Sequence, residues 1–213
     1  LVEIKSGYGL TLEDELKILR VIKRIRENAP IEVRATFLGA HAVGRAYKGR
    51  QAEYVEHVCR DMIPAVAKEN LADFVDVFCD RGFFTVEETA KIMEVGAKYG
   101  LRAKIHANEL AISGGVEVGV EHNALSVDHL ESMGDEQIEA LRGTGTMPTM
   151  LPGCAFFLGI TYPPARKMID AGLAVALASD FNPGTAPSGN MRFVVSLGSI
   201  KMKMTPAEAL NAA

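Results

Sequence analysis

The chain has 213 residues, 48% of them hydrophobic and 23% charged, an ordinary globular composition with enough apolar mass for a sizeable core. Its net charge of -4 and pI near 5.8 give no basic footprint for nucleic acid or anionic membrane, so a small-molecule partner is expected. Cys59, Cys79 and Cys154 are scattered and suggest neither a disulfide framework nor a cysteine zinc site, and no apolar stretch reaches a membrane span, so a cytoplasmic location is expected.

Leu1 opens directly inside a strand-like run, so the natural start is expected upstream. From there apolar runs alternate with amphipathic segments, the pattern of parallel βα units. Strands are expected at Val2–Lys5, Val33–Leu38, Phe74–Cys79, Arg102–Ile105, Ala124–Val127, Thr146–Leu151 and Ala174–Ala178. Thr11 can cap a helix with Leu12, Leu16, Leu19, Ile22 and Ile25 on one face, stopped at Asn28, Ala29 and Pro30. Gln51 to Asn70 is helical in pattern but carries Pro64, where it should bend or break. Thr85 and Glu88 form a capping box for a helix that Gly100 ends, Pro163 and Pro164 suit the first turn of a helix running to Ala171, and Thr205, Pro206 and Glu208 open a last one.

No Pro/Gly/Ser linker divides the chain, so one domain over residues 1–213 is expected. Seven strands with polar residues at their C-terminal ends suggest an α/β fold, a (β/α)8 TIM-type barrel in which strand one is missing. An open doubly wound sheet is the competing architecture, but Ser6-Gly7-Tyr8-Gly9 lacks the third glycine of its phosphate turn.

His106 and Asp180 each close an apolar run, where imidazole and carboxylate could grip a divalent metal at a barrel mouth, and His129, one βα unit after His106, would face the same mouth and could bond a metal-bound water or a developing oxyanion. Glu109, three residues beyond His106, falls in the following loop and reads as a neighbouring acid or base. The alternatives are a histidine satisfied by Asp128 and Glu131, and an Asx turn around Asp180 and Asn182. His41 and Tyr8 also follow strands and could contact a polar ring. His57, His122, Glu53, Glu56, Asp61, Glu87 and Glu94 read as ordinary helix positions. No nucleophile elbow, Walker loop or cysteine paired with histidine is seen, which leaves metal-assisted attack by water.

The strings Glu3-Ile4-Lys5-Ser6-Gly7-Tyr8-Gly9-Leu10, Thr36-Phe37-Leu38-Gly39-Ala40-His41-Ala42, Lys104-Ile105-His106-Ala107-Asn108-Glu109-Leu110, Asp128-His129-Leu130-Glu131 and Ala178-Ser179-Asp180-Phe181-Asn182-Pro183-Gly184-Thr185 resemble the imidazolonepropionase family of the amidohydrolase superfamily. The resemblance implies hydrolysis of the ring amide of 4-imidazolone-5-propanoate to N-formimidoyl-L-glutamate in histidine degradation, with one zinc or iron ion and a homodimeric assembly. It assigns His106 and Asp180 to the metal, and Glu109 and His129 to the attacking water, the substrate and proton movement. Tyr8, His41, Asn182, Gly184 and Thr185 fall at substrate contacts.

The family's His-x-His pair from strand one occurs nowhere in the chain, so two of its four metal ligands are absent and the fragment alone is expected to be inactive or poorly active. The family's small β domain is likewise expected to be absent or incomplete. Val43-Gly44-Arg45 stands where the family has a proline-containing turn. Another cyclic amidohydrolase or deaminase, of hydantoin or purine type, is the alternative enzyme. A metal-free barrel fragment serving as a binding or structural module is the alternative of a different class.

Overall fold

The computed structural model describes every residue from Leu1 to Ala213, and its contacts cluster into two compact units, Leu1–Ile105 and His106–Ala213. The first contains β1 (Val2–Lys5), α1 (Leu12–Asn28), β2 (Val33–Ala40), α2 (Gln51–His57), α3 (Ile63–Lys68), β3 (Phe74–Cys79) and α4 (Val86–Lys98). β4 (Arg102–Ala107) crosses the boundary between the units. β1 pairs with β2 and β2 with β3, all parallel, with Val2 opposite Val33 and Thr36 opposite Phe74.

These elements form for local reasons. Thr11 Oγ1 accepts from the Asp14 N–H at the start of α1, and the helix ends at Ala29, just before Pro30. Its apolar stripe buries Leu16, Leu19 and Ile22, whereas Ile25, expected on the same face, stays 41% exposed. The Thr85–Glu88 capping box opens α4, with both reciprocal bonds present. Gly96 lets α4 lie against β3, because a Cβ there would stand 2.5 Å from Val75 Cγ1.

The break expected at Pro64 occurs one turn earlier, as a π-helical stretch over Val58–Met62 between α2 and α3. Proline lacks an N–H and its ring crowds the carbonyl four residues back, here that of Arg60; widening the preceding turn relieves both without ending the helical path.

The second unit holds α5 (Gly115–Glu121), β5 (Ser126–His129), α6 (Asp135–Leu141), β6 (Met147–Met150), α7 (Pro152–Leu158), α8 (Ala165–Asp170), β7 (Ala176–Leu177), α9 (Met191–Lys201) and α10 (Pro206–Ala212). β5 pairs with β6 and β6 with β7, again parallel. Pro163 and Pro164 precede α8 rather than forming its first turn, with Pro164 in the cap position. All seven expected strands are present, with two boundary shifts that bear on the site: His106 lies within β4 and His129 is the last residue of β5. No helix is long and apolar enough to cross a membrane.

Candidate active site

The second unit brings several chemistry-bearing side chains together where β4 and β5 end. His106 and His129 are both buried, with ring centroids 5.3 Å apart. His129 Nε2 stands 3.6 Å from Glu109 Oε2, and its Nδ1 stands 3.7 Å from Glu131 Oε2. Cys154, near the start of α7, places its Sγ 3.8 Å from Glu109 Oε1. The donor atoms of Glu109, His129 and Cys154 all lie within 4.8 Å of one another.

Backbone geometry turns these side chains to one place. Asn108, His129 and Leu130 adopt positive φ values of 54°, 84° and 73°, a conformation that side chains other than glycine rarely occupy. The turn is pinned by two hydrogen bonds, Leu130 N–H to Ala107 O at 3.1 Å and Ser132 N–H to Asn108 O at 2.7 Å. Residues 129–131 are therefore held against the end of β4, with His129 and Glu131 buried.

The cluster leaves polar atoms unsatisfied. Asn108 Nδ2, His129 Nδ1 and both carboxylate oxygens of Glu131 are buried without a hydrogen-bond partner, an arrangement that costs free energy unless something else meets them. Burial raises the Glu131 pKa against the opposing pull of His129. Burial pulls the His129 pKa down, but Cys154, Glu131 and Glu109 more than offset it and hold the imidazole well above its ordinary value. The Cys154 thiol is pushed up by burial, with Glu109 and Asp180 adding to the rise and His129 opposing it.

Asp180 is half-buried after β7, also at positive φ (50°). The loop behind it is organised by Asn182. Its Oδ1 accepts from the Gly184 and Thr185 N–H groups at 2.9 and 2.7 Å, and its Nδ2 donates to Asp180 O at 2.7 Å and to Asp180 Oδ2 at 3.3 Å. The Asx turn envisaged from the sequence is thus present at Asn182, one short step from the carboxylate. Asn182, Gly184 and Thr185 have these polar atoms engaged inside the loop.

Tyr8 and His41 belong to the first unit, where their rings meet edge to face at 5.3 Å and His41 Nδ1 donates to Gly7 O at 3.0 Å. Tyr8 is 62% exposed. Its loop is held by Glu15, whose buried carboxylate accepts from the N–H groups of Gly7, Gly9 and Leu10 at 2.7–3.2 Å. Glu53, Glu56, Asp61, Glu87 and Glu94 are all exposed on helices.

Two residues of the cluster escape a reading by sequence. Cys154 follows the run ending at Leu151 by three residues, the offset at which other strand ends supply functional groups, but α7 rather than the strand carries it. Glu131 figures in the sequence only as a neighbour able to satisfy His129. In the structure the two lie just beyond hydrogen-bond distance, so the neighbour is itself unsatisfied.

No family model matches the chain. Among curated proteins it is 61% identical over 212 residues to the imidazolonepropionase of Flavobacterium johnsoniae, 49% to that of Brevibacillus brevis and 44% to that of Caldanaerobacter subterraneus. These matches take in 99–100% of this chain and 50–52% of each relative, so the chain spans about half the length of the curated relatives it matches. Among solved structures, guanine deaminase from C. acetobutylicum matches all of the chain and 56% of its own length, with TM-score 0.72 and 16% identity. The 5-methylcytosine deaminase of Klebsiella pneumoniae matches 99% of the chain and 60% of its own, with TM-score 0.71 and 15% identity; likeness at that identity speaks for fold alone. Over its whole length, then, this chain is homologous to about half the length of each of these proteins named imidazolonepropionase, and its parallel α/β architecture is the amidohydrolase fold.

Proposed function

We propose that this chain carries the metal-binding and proton-transfer residues of an enzyme that opens the ring of 4-imidazolone-5-propanoate, yielding N-formimidoyl-L-glutamate. The observation that supports this most is identity of 44–61% to imidazolonepropionases along essentially the entire chain, the segment of His106, Glu109, His129 and Asp180 included.

The donor set fits a divalent cation. His106 offers a buried imidazole and Asp180 a half-buried carboxylate, donor types that zinc and iron both take. His106 and Asp180 would hold the ion. Zinc or iron, when bound, supplies a Lewis acid that lowers the pKa of water toward about 7 and polarises a carbonyl.

Glu109 accepts the proton of the attacking water as the new C–O bond forms at the ring carbonyl carbon. The C–N ring bond then breaks, and the proton is delivered to the departing nitrogen by Glu109 or by its neighbour His129. The positive φ at His129 and Leu130 serves orientation, aiming the imidazole at Glu109. Tyr8 and His41 contact the imidazolone ring, and Asn182, Gly184 and Thr185 shape the substrate loop behind Asp180. The partner is a small molecule, the assembly a homodimer and the compartment the cytoplasm. With only His106 and Asp180 as metal donors and no His-x-His sequence, the 213-residue chain by itself is expected to turn over poorly or not at all.

A chimera tests this reading. Grafting these 213 residues onto the matching segment of the Flavobacterium johnsoniae relative should give a protein that consumes imidazolone propionate, followed by loss of ring absorbance. Glu109→Gln in the chimera should lower kcat by at least about 100-fold. A folded, metal-loaded chimera that ignores the imidazolone but deaminates a purine, or hydrolyses a hydantoin, would overturn it.

A further inference from the structure

We propose that Glu109, His129 and Cys154 form a second cation site, selective for soft divalent ions such as cadmium or zinc, whose occupation withdraws Glu109 and His129 from proton transfer. Its donors differ from the His106–Asp180 pair but adjoin it, the His106 and His129 rings being 5.3 Å apart, and its inhibitory effect rests on the catalytic reading of Glu109 and His129 given above.

The geometry carries it. A tetrahedral ion with bonds of about 2.3 Å to sulfur and about 2.0–2.1 Å to nitrogen or oxygen sets its ligands roughly 3.3–3.7 Å from one another. His129 Nε2 to Glu109 Oε2 is 3.6 Å and Cys154 Sγ to Glu109 Oε1 is 3.8 Å, and all three ligand atoms lie within 4.8 Å of one another, so the widest pair need close by no more than about 1 Å for one ion to reach all three. The three residues come from the loop after β4, the end of β5 and the first turn of α7. Their convergence is therefore tertiary and not a by-product of chain proximity.

Glu131 provides the independent sign of a ligand site. Imidazoles that bind a metal through one nitrogen usually direct the other toward a carboxylate, which fixes the ring. His129 faces Glu109 through Nε2 and Glu131 through Nδ1, and the buried Nδ1 and both Glu131 oxygens have no hydrogen-bond partner. A cation on Nε2 would make Nδ1–H a stronger donor toward Glu131. Thiolate softness selects the ion: magnesium and calcium prefer oxygen, whereas cadmium and zinc accept sulfur. On binding, the S–H bond breaks, the metal–sulfur bond forms and the proton leaves to the buffer.

Cadmium chloride titrated into the full 213-residue chain reads this directly. The ultraviolet sulfur-to-cadmium charge-transfer band should saturate at one equivalent, persist in Cys59→Ala and vanish in Cys154→Ala, with cadmium affinity falling at least tenfold. Glu131→Gln should keep the band and weaken binding about 10- to 100-fold. Magnesium should not compete. Should Cys154→Ala fold poorly, Cys154→Ser serves with the same expected loss.

A band that survives loss of the Cys154 thiol, or cadmium bound with no band, would overturn the site. In the active chimera, cadmium should inhibit the parent and spare Cys154→Ala. If no imidazolone activity exists, the functional reading fails while the band still decides the site. An active parent that binds cadmium at Cys154 without inhibition would overturn the shared use of Glu109 and His129.

Discussion

Two polar clusters in this molecule, one part-buried and one buried, solve the same problem differently. In the first unit Lys5 Nζ bridges Glu3 and Asp76 at 2.7 and 2.8 Å, while Lys104 Nζ and Thr36 Oγ1 reach the two Glu3 oxygens at 2.5 Å each. Two ammonium groups meet two carboxylates at hydrogen-bond distance. In the second unit two carboxylates, Glu109 and Glu131, face one imidazole at 3.6 and 3.7 Å, and four buried atoms nearby have no partner. The first cluster is complete as protein; the second reaches completion only with something added. A self-satisfied network holds strands in place, whereas an unsatisfied one at strand ends is a place for a ligand.

Charge removal should therefore have opposite consequences in the two clusters. Lys104→Met strips one of two ammonium groups from Glu3, which is a quarter exposed and keeps Lys5, and losing that charge-assisted bond should cost about 2 kcal/mol. Urea unfolding of the metal-free chain measures it. Glu131→Gln removes a carboxylate whose burial cost opposes its 3.7 Å pairing with His129, so the metal-free protein should be unchanged within about 1 kcal/mol. A large loss with Glu131→Gln, or none with Lys104→Met, would erase the contrast.

The next effect concerns Glu15, a second self-satisfied group in the first unit. Its carboxylate accepts three backbone N–H groups of the Tyr8 loop, and a glutamine there keeps the shape but loses the charge and turns one acceptor into a donor. Glu15→Gln should cost about 2 kcal/mol in stability, since charge-assisted bonds contribute about 1.5–3 kcal/mol each. Amide exchange at Gly7, Gly9 and Leu10 should accelerate with it. Unchanged exchange at those three amides would show that the loop holds itself.

What the sequence makes legible follows from how local each cause is. The seven strands, the Thr11 cap and the Thr85 and Thr205 capping boxes depend on neighbours within a few residues, and each is found where the pattern places it. His106, Glu109 and His129 are individually visible because strand ends collect polar residues, although their mutual distances are not. Glu15 reads as one more acid in a helix's first turn, since its partners are backbone groups of a loop that no periodicity marks. Cys154 is dismissed by cysteine spacing because its companions lie 25 and 45 residues away in sequence. The left-handed turn at His129 and Leu130 has no glycine to announce it. Such a turn is held by tertiary hydrogen bonds, against local preference.

The smallest effect tests whether the second unit is poorly paired in general or only at its candidate site. Arg166 clamps Glu208 at the start of α10 through Nη1 to Oε2 at 2.8 Å and Nη2 to Oε1 at 3.1 Å, while the Thr205 N–H also donates to Glu208 Oε2 at 2.7 Å. The Arg166 bonds foremost, then the backbone of Thr205, hold the Glu208 carboxyl down to about 2. A carboxyl depressed in the folded state stabilises the fold above its unfolded pKa, about 4.3, and that contribution fades as pH falls from there through about 2. Carboxyl-carbon NMR should find Glu208 still ionised at pH 4, below the usual glutamate value of about 4.3, and Arg166→Met should move its titration up toward that value. If Glu208 titrates near the usual glutamate value of about 4.3 in the unaltered chain, weak pairing extends across the second unit, and the unpartnered atoms around His129 lose their standing as the mark of a ligand site.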